Sequence, residues 1–489
     1  MSLNALLRDW SSPYDPSAAT LAIILAAGHG KRIKSEKSKM LHEIWGVPTV
    51  ERVHRAIVKG LPGCISSVVV GVKAADVAKA VGRRKNTRYV WQKEQNGTGH
   101  AVRVALQGKM PKTVQYCYVL PGDMGLLNAN EVRSFHKAFV RSGYDMVVLT
   151  GAYQGNPSEN YYGRILRAKQ KNDDGTESKH AGMVIEIMEH RDILAIKKDY
   201  TVSYNGESFT FTRDELLAIS EFNSGVYGFR MKPLLTHINR ISSDNVLGEI
   251  YLTDLIAMFN RSNLKVGARA ASDTAIILGF NNKSVLKEMD NIARQRTYER
   301  LKDIVTFEDP DHFFLADQVV DQIVRLDKKG EPLDIVVGEG VHVGPEVRIN
   351  TGMKLARNAT VKGRVKFGQN VSVGEASILN TYPGQEIVLG DQVEIMIGDQ
   401  LNGNIHIQNN TRIEGGVRIT GSDDHPVRIG GNVRIKGSTY IYGCTIEDGV
   451  QIEHCFIKQK RIRAVQREDG SIQPVRFYHP MPEGMDSVV

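Results

Sequence analysis

The apolar positions of this 489-residue chain keep one rhythm for about half its length and a different one later. From residue 21 to about 265, short apolar runs alternate with amphipathic segments. LAIILAAG (21–28), SSVVVGV (66–72), YCYVLPGD (116–123) and MVVLTGAY (146–153) are continuous rather than alternating and rich in β-branched residues. Such runs predict strands buried on both faces. Between them, TVERVHRAIV (49–58) and NEVRSFHKAFV (130–140) carry the spacing of helices with one apolar face. The alternation predicts an α/β domain over 21–265, with a mostly parallel, Rossmann-like sheet covered by helices. Ligands of such sheets bind beyond the carboxyl ends of the strands. Residues 1–20 read as a mobile lead-in with no secretion-signal pattern.

Residues 266–334 read as a helical arm, because SVLKEMDNIARQRTYERLKD (284–303) is one long, densely charged amphipathic stretch. From 335 to 458 the period becomes six. VHVGPE, VRINTG, MKLARN, ATVKGR, VKFGQN and VSVGEA follow one another from Val341, and the pattern resumes at Ile405 and Val427. Small or aliphatic residues recur at the first and third places of the hexads, and Gly, Asn or Asp gather near their ends. This predicts a left-handed parallel β-helix, each hexad forming one flat face and one corner. The run 377–404 breaks phase and predicts a loop or insertion. Residues 459–489 show no repeat and read as a tail.

Composition narrows the function classes. The chain is 41% hydrophobic and 24% charged, as globular proteins are. No run approaches the roughly 18 apolar residues of a spanning helix. Cys64, Cys117, Cys444 and Cys455 form no CxxC pair and read as inert thiols of a reducing cytoplasm. The net charge of +8 is spread along the chain. It points to an anionic small substrate rather than to nucleic acid.

The first strand runs into LAAGHGKR (25–32), where Gly28 and Gly30 let backbone N–H groups approach phosphates. Arg32 and Lys39 add positive charge. The pattern is neither GxGxxG nor a Walker loop. It is followed in order by SKMLH (38–42), QKEQNGTGHA (92–101), GD (122–123), YGR (162–164), EHRD (189–192), NSG (223–225) and NVLGEIYLTD (245–254). The ordered set resembles the bacterial N-acetylglucosamine-1-phosphate uridyltransferase family, and the likeness continues through GFNN (279–282) and DPDHF (309–313).

The resemblance implies an Mg²⁺-dependent enzyme that joins UTP to a sugar-1-phosphate, most naturally N-acetylglucosamine-1-phosphate, and releases pyrophosphate. Ala27 and Gly28 then hold the uridine, and Gly30, Lys31 and Arg32 face the triphosphate. Lys39 lies at the reacting phosphate. Gln92, Gln95, Gly97 and Thr98 read the base, Asp123 and Asn245 hold the metal, and Gly163, Glu189 and Asn223 bind the sugar. Arg32, Lys39 and Asp123 carry the catalysis. Singly, each has a duller reading: Asp123 or Asn245 as a helix cap, Glu189 as a surface acid beside Arg191.

The chain also departs from the family. Lys31 stands where Thr is usual. The stretches 169–182 and 199–215 look inserted and flank the implied sugar site. The β-helix lacks the G-H-L-S/T-Y and N-Y-D-G elements of the family's acetyl-transfer activity, and none of His342, His406, His425 and His454 has those neighbours. The second half is therefore expected to be a scaffold, by analogy for a homotrimer. The readings kept open are another nucleotide or sugar, an acyltransferase acting through the β-helix, and a non-catalytic nucleotide-sugar sensor.

Overall fold

The computed structural model describes residues 2–28, 30, 33–157, 160–243 and 248–476. They divide into two compact units, 1–290 and 291–489. None of the described helices is long and apolar enough to cross a membrane.

The first unit is built on a sheet whose strands we number β1 (Thr20–Ala26), β2 (Ile65–Val70), β3 (Thr87–Trp91), β4 (Tyr116–Pro121), β5 (Met146–Ala152), β6 (Arg164–Arg167), β7 (Val184–Met188), β8 (Glu221–Arg230) and β9 (Val266–Ala270). The order is β9-β5-β8-β4-β1-β2-β3, with β6 and β7 attached through β8. β1 pairs in parallel with both β2 and β4. The chain leaves β1 to one side and returns on the other, so the topological switch point lies at its carboxyl end. Long β8 alone runs antiparallel between β4 and β5.

Both faces of the sheet are covered, which explains the unbroken apolar runs. Leu21 and Ile23 of β1 enter one core, and Ala22 and Ile24 enter the other. The amphipathic stretches predicted as helices form Thr49–Gly60 and Ala129–Ser142.

Two boundaries of this unit differ from the sequence expectation. The lead-in packs on the domain: Leu3–Trp10 is a helix capped by Ser2, and its Leu7 is buried in the main core. Ser11 and Ser12 then bond edge strand β3 through Tyr89 and Thr87. The helical arm does not begin at 266, because Val266–Ala270 is β9, paired with β5. The predicted long helix is present as Lys283–Leu301.

The second unit is a parallel β-helix of three sheets. Strands of two to four residues stack in register, with Val361, Leu379, Leu401 and Ile419 in one inward column. Asn358, Asn370, Asn410 and Asn432 turn corners in the left-handed backbone region, which Asn tolerates better than most residues. The phase break of 377–404 is a longer corner. After Val361 the chain turns through Lys362, Gly363 and Arg364, but after Leu379 it needs Asn380 through Glu386 to reach the next face. The stack also exceeds its predicted limits. Thr306–Phe307 and Phe314–Leu315 already pair with the first coil, so the arm's end is β-helix. Arg461–Ile462 and Val475–Arg476 continue the sheets, so the tail's first part belongs to it too. Strands this short carry no period of their own.

Within the β-helix, Asp399 is fully buried and accepts backbone N–H bonds from Val417 at 2.8 Å and Met396 at 3.1 Å. Burial outweighs those bonds and pushes its carboxyl up to about 7. The same carboxyl titrates near ~4 in an unfolded chain. Folding therefore takes up a proton between these values, and the stabilisation is lost as pH rises through 7. The C-terminal unit is expected to melt lower at pH 8.5 than at pH 6, by roughly 5 °C. The difference should shrink in Asp399→Asn; an equal difference in both proteins would contradict the assignment.

Candidate functional site

Strands β1 and β4 deliver the first residues of the site at the switch point. Gly122 N–H donates to Leu25 O at 2.9 Å, which sets Asp123 beside the exit of β1. Gly71 lies against Ala27, where a Cβ would come within 2.6 Å of the Ala27 carbonyl. The chain thus passes close against Gly71 just before its glycine turn begins at Gly28. A Cβ on Gly28 would meet nothing within 4 Å, so this turn faces open space. Gly30 has φ +70° and rests on the stem of Lys39, with its Cβ position 2.6 Å from Lys39 Cβ. Lys31, Arg32 and Asn245 lie outside the described residues.

Lys39 opens the short 3-10 turn Lys39–Leu41. Its ammonium contacts Asp123 Oδ2, donates to Asn281 Oδ1 at 3.1 Å, and lies 5.3 Å from the centre of the Phe280 ring. A Cβ on Gly279 would stand 3.0 Å from Asp123 Oδ2, so the bare glycine lets this loop pack close on the carboxylate. Asn281 is the residue that the sequence reading missed. GFNN was noticed as part of the resemblance, but nothing in the sequence showed that its amide oxygen meets Lys39 from 242 positions away. Two oxygens thus converge on one cation. Carboxylate and amide oxygens are hard donors, and Mg²⁺ takes few protein oxygens while phosphates and water complete its shell. The donor set fits a hard divalent ion.

On one flank, Gln92 is buried and its amide lies 3.2 Å from both the Gly97 carbonyl and His100 Nδ1. Gln95 is exposed and donates to the Gln92 carbonyl at 3.3 Å. Gly97 has φ +97°, and a Cβ there would approach Ile250 O to 2.5 Å. The segments clasp each other through Ile250 N–H to Asn96 O and Gly99 N–H to Ile250 O. Thr98 Oγ accepts from Leu252 N–H at 3.1 Å, so its oxygen fastens this clasp.

On the other flank, β8 is bulged between Asn223 and Val226. Bulges re-aim side chains beside sites. Asn223 N–H donates to Gly163 O at 2.8 Å and its Nδ2 donates to the buried Tyr227 hydroxyl at 2.7 Å. Glu189 follows β7, and its Oε1 lies 3.1 Å from the Cβ position of Gly163. Gly163, Glu189 and Asn223 therefore form one cluster, and Glu189 is half-buried rather than a surface acid. Burial pushes its carboxyl up to about 7, aided by the charges of Asp192 and Asp254. Asp254 is itself raised to about 6 by burial and then by Asp192. Tyr162 links this flank to the centre: it stacks on Phe222 at 4.5 Å, bonds the Gly279 backbone and lies in the field of Asp123.

The inserted stretches also meet. Thr210 N–H donates to Asp173 at 2.8 Å, Lys169 pairs with Glu215, and Phe209, Phe211 and Leu216 form a small core with β6 and β7. They stand behind β7, which Glu189 follows.

Comparison with known proteins fits this geometry. A model described as a MobA-like NTP transferase domain matches residues 22–190. The bifunctional protein GlmU of Acetivibrio thermocellus is 30% identical over 399 residues, covering 78% of this chain and 77% of that protein. The chain belongs to the GlmU family. GlmU of Clostridium kluyveri is 32% identical, with 77% of each chain covered, and that of Clostridium acetobutylicum is 30% identical, with 88% and 81% covered. A solved UDP-glucose pyrophosphorylase complexed with UDP-glucose aligns with 57% of this chain and 99% of its own at 14% identity, but its TM-score of 0.39 carries no argument. Membership makes the first unit of this GlmU-type chain a nucleotidyltransferase and implies a divalent metal.

The acidic flank yields a prediction. Carbon-13 NMR of the Glu189 carboxyl should show a midpoint near 7 that moves down in Asp192→Asn. An ordinary midpoint in the wild type would refute the described burial.

Proposed function

We propose that the chain transfers a uridylyl group from UTP to N-acetylglucosamine-1-phosphate, forming UDP-N-acetylglucosamine and pyrophosphate. The observation that carries this reading is the convergence of Lys39, Asp123 and Asn281 at the switch point, between an amide-rich flank and the Gly163–Glu189–Asn223 cluster.

The amide-rich flank suits a pyrimidine, because Gln92 and Gln95 each offer a donor and an acceptor. The turn through Ala27, Gly28 and Gly30 offers backbone N–H groups to the nucleotide, with Lys31 and Arg32 as cationic partners of the triphosphate. Glu189 and Asn223 present acceptors and a donor to sugar hydroxyls and an N-acetyl group. The sugar phosphate oxygen is already nucleophilic, so the protein need supply no general base. It attacks the α-phosphorus in line, and pyrophosphate leaves. Lys39 and Arg32 neutralise charge that builds in the transition state, and both flanks hold the reactants in line. Asp123 and Asn281 would hold Mg²⁺, with Asn245 as the ligand implied by the sequence resemblance; the ion, when bound, supplies charge neutralisation at the phosphates.

Asp123→Ala is expected to abolish pyrophosphate release. Lys39→Ala should lower kcat by roughly a hundredfold or more, the size of losing one charge stabiliser. Asn281→Ala should raise the Mg²⁺ concentration needed for half-maximal rate. A panel of nucleoside triphosphates and sugar-1-phosphates, scored by pyrophosphate release, fixes the substrates. Near-normal activity of purified Asp123→Ala would sink the proposal.

The β-helix is proposed as a scaffold for a homotrimer without the family's acetyl transfer. Two of its histidines have partners in the fold: His342 stacks on Phe314 at 4.4 Å and His406 sits 3.7 Å from Glu386. Light scattering should return the mass of three chains, and glucosamine-1-phosphate with acetyl-coenzyme A should give no product. A monomer, or robust acetylation, would overturn it.

A further inference from the structure

The segment DPDHF (309–313) takes no part in the site above. Its flanks pair in parallel with Val336–Val337 and His342–Val343, so the turn between them lies on the corner 338–341 of the next coil. Backbone bonds fix the two turns together. Gly340 N–H donates to the His312 carbonyl at 2.6 Å, and Glu308 N–H donates to Val337 O at 3.0 Å. Phe313 is buried and packs on Phe307 with ring centres 4.6 Å apart. The neighbouring His312 is left on the exposed side.

Asp309, His312 and Glu339 each present a ligand atom there, and all three atoms lie within 4.8 Å of one another. His312 Nδ1 is 3.6 Å from Glu339 Oε1. A tetrahedral ion with bonds of about 2.0–2.1 Å holds its ligand atoms roughly 3.4 Å apart, so this pair is already near the required spacing. The carboxylates are oriented from behind. Asp309 Oδ1 accepts the Asp311 N–H at 2.7 Å, and Glu339 Oε2 is ion-paired with Arg357 Nε at 3.0 Å. Such supporting bonds fix ligand direction. One imidazole with two carboxylates suits zinc-class ions over Mg²⁺, which prefers oxygen alone.

We propose that Asp309, His312 and Glu339 bind a zinc-class divalent ion that staples the first, incomplete turn of the β-helix to the coil beneath it. Three protein ligands leave the fourth position to water. Arg357 holds the second oxygen of Glu339 and adds a positive charge, so it weakens the site that it orients. The donor chemistry separates this site from the oxygen-only cluster at Asp123.

Calorimetric titration of the full chain with Zn²⁺, after chelator treatment and in excess Mg²⁺ to fill hard-oxygen sites, tests the proposal. One equivalent should bind and raise the melting temperature of the C-terminal unit. His312→Asn and Glu339→Gln should each weaken binding at least tenfold with unchanged circular dichroism, and Arg357→Gln should tighten it. A Co²⁺-loaded chain should show a tetrahedral absorption spectrum that His312→Asn loses. Wild-type chain that binds no stoichiometric Zn²⁺, or equal affinity in His312→Asn, overturns the proposal.

Discussion

The Lys39 ammonium lies between the Asp123 carboxylate and the Asn281 amide oxygen, and each side chain comes from a different part of the chain. Asp123 follows β4, Lys39 opens a short turn, and Asn281 lies on the loop that Gly279 allows to close. The ion pair is only slightly exposed, with 13% of the Lys39 side chain and 12% of the Asp123 side chain accessible. Loss of one partner there leaves a poorly solvated charge, a costly state. The cluster therefore ties the sheet end, the turn after the glycine loop and the 279–282 loop to one another. The amide-rich flank and the Gly163–Glu189–Asn223 cluster are arranged about it.

The surrounding structure keeps these positions. Strands buried on both faces hold β1 and β4 in register, and the bulge in β8 sets Asn223 against Gly163. The clasp of 96–99 with 250–252 holds the amide flank without a long element. The two insertions give β6 and β7 a small core of their own behind Glu189. An alteration there would reach Glu189 through packing.

Much of this was legible in the sequence because it is local. Unbroken apolar runs specified the doubly covered sheet, and period six specified the β-helix. The ordered segments named Lys39, Asp123, Gly163, Glu189 and Asn223 before their proximity was visible. What escaped depends on tertiary contact. Asn281 is set by its approach to Lys39 across the fold. The strands at 306–307, 314–315 and 475–476 are too short for periodicity and exist because a coil lies beside them. The first helix had a readable signal in Leu3, Leu6, Leu7 and Trp10, but its burial depends on the core it covers.

A crystal structure with a non-hydrolysable UTP analogue and Mg²⁺ tests the central claim most directly. The account predicts an ion on the oxygens of Asp123 and Asn281, Lys39 drawn onto the phosphates, and the base against Gln92 and Gln95. An ion held away from Asp123 and Asn281, or a nucleotide bound away from the end of β1, would contradict it.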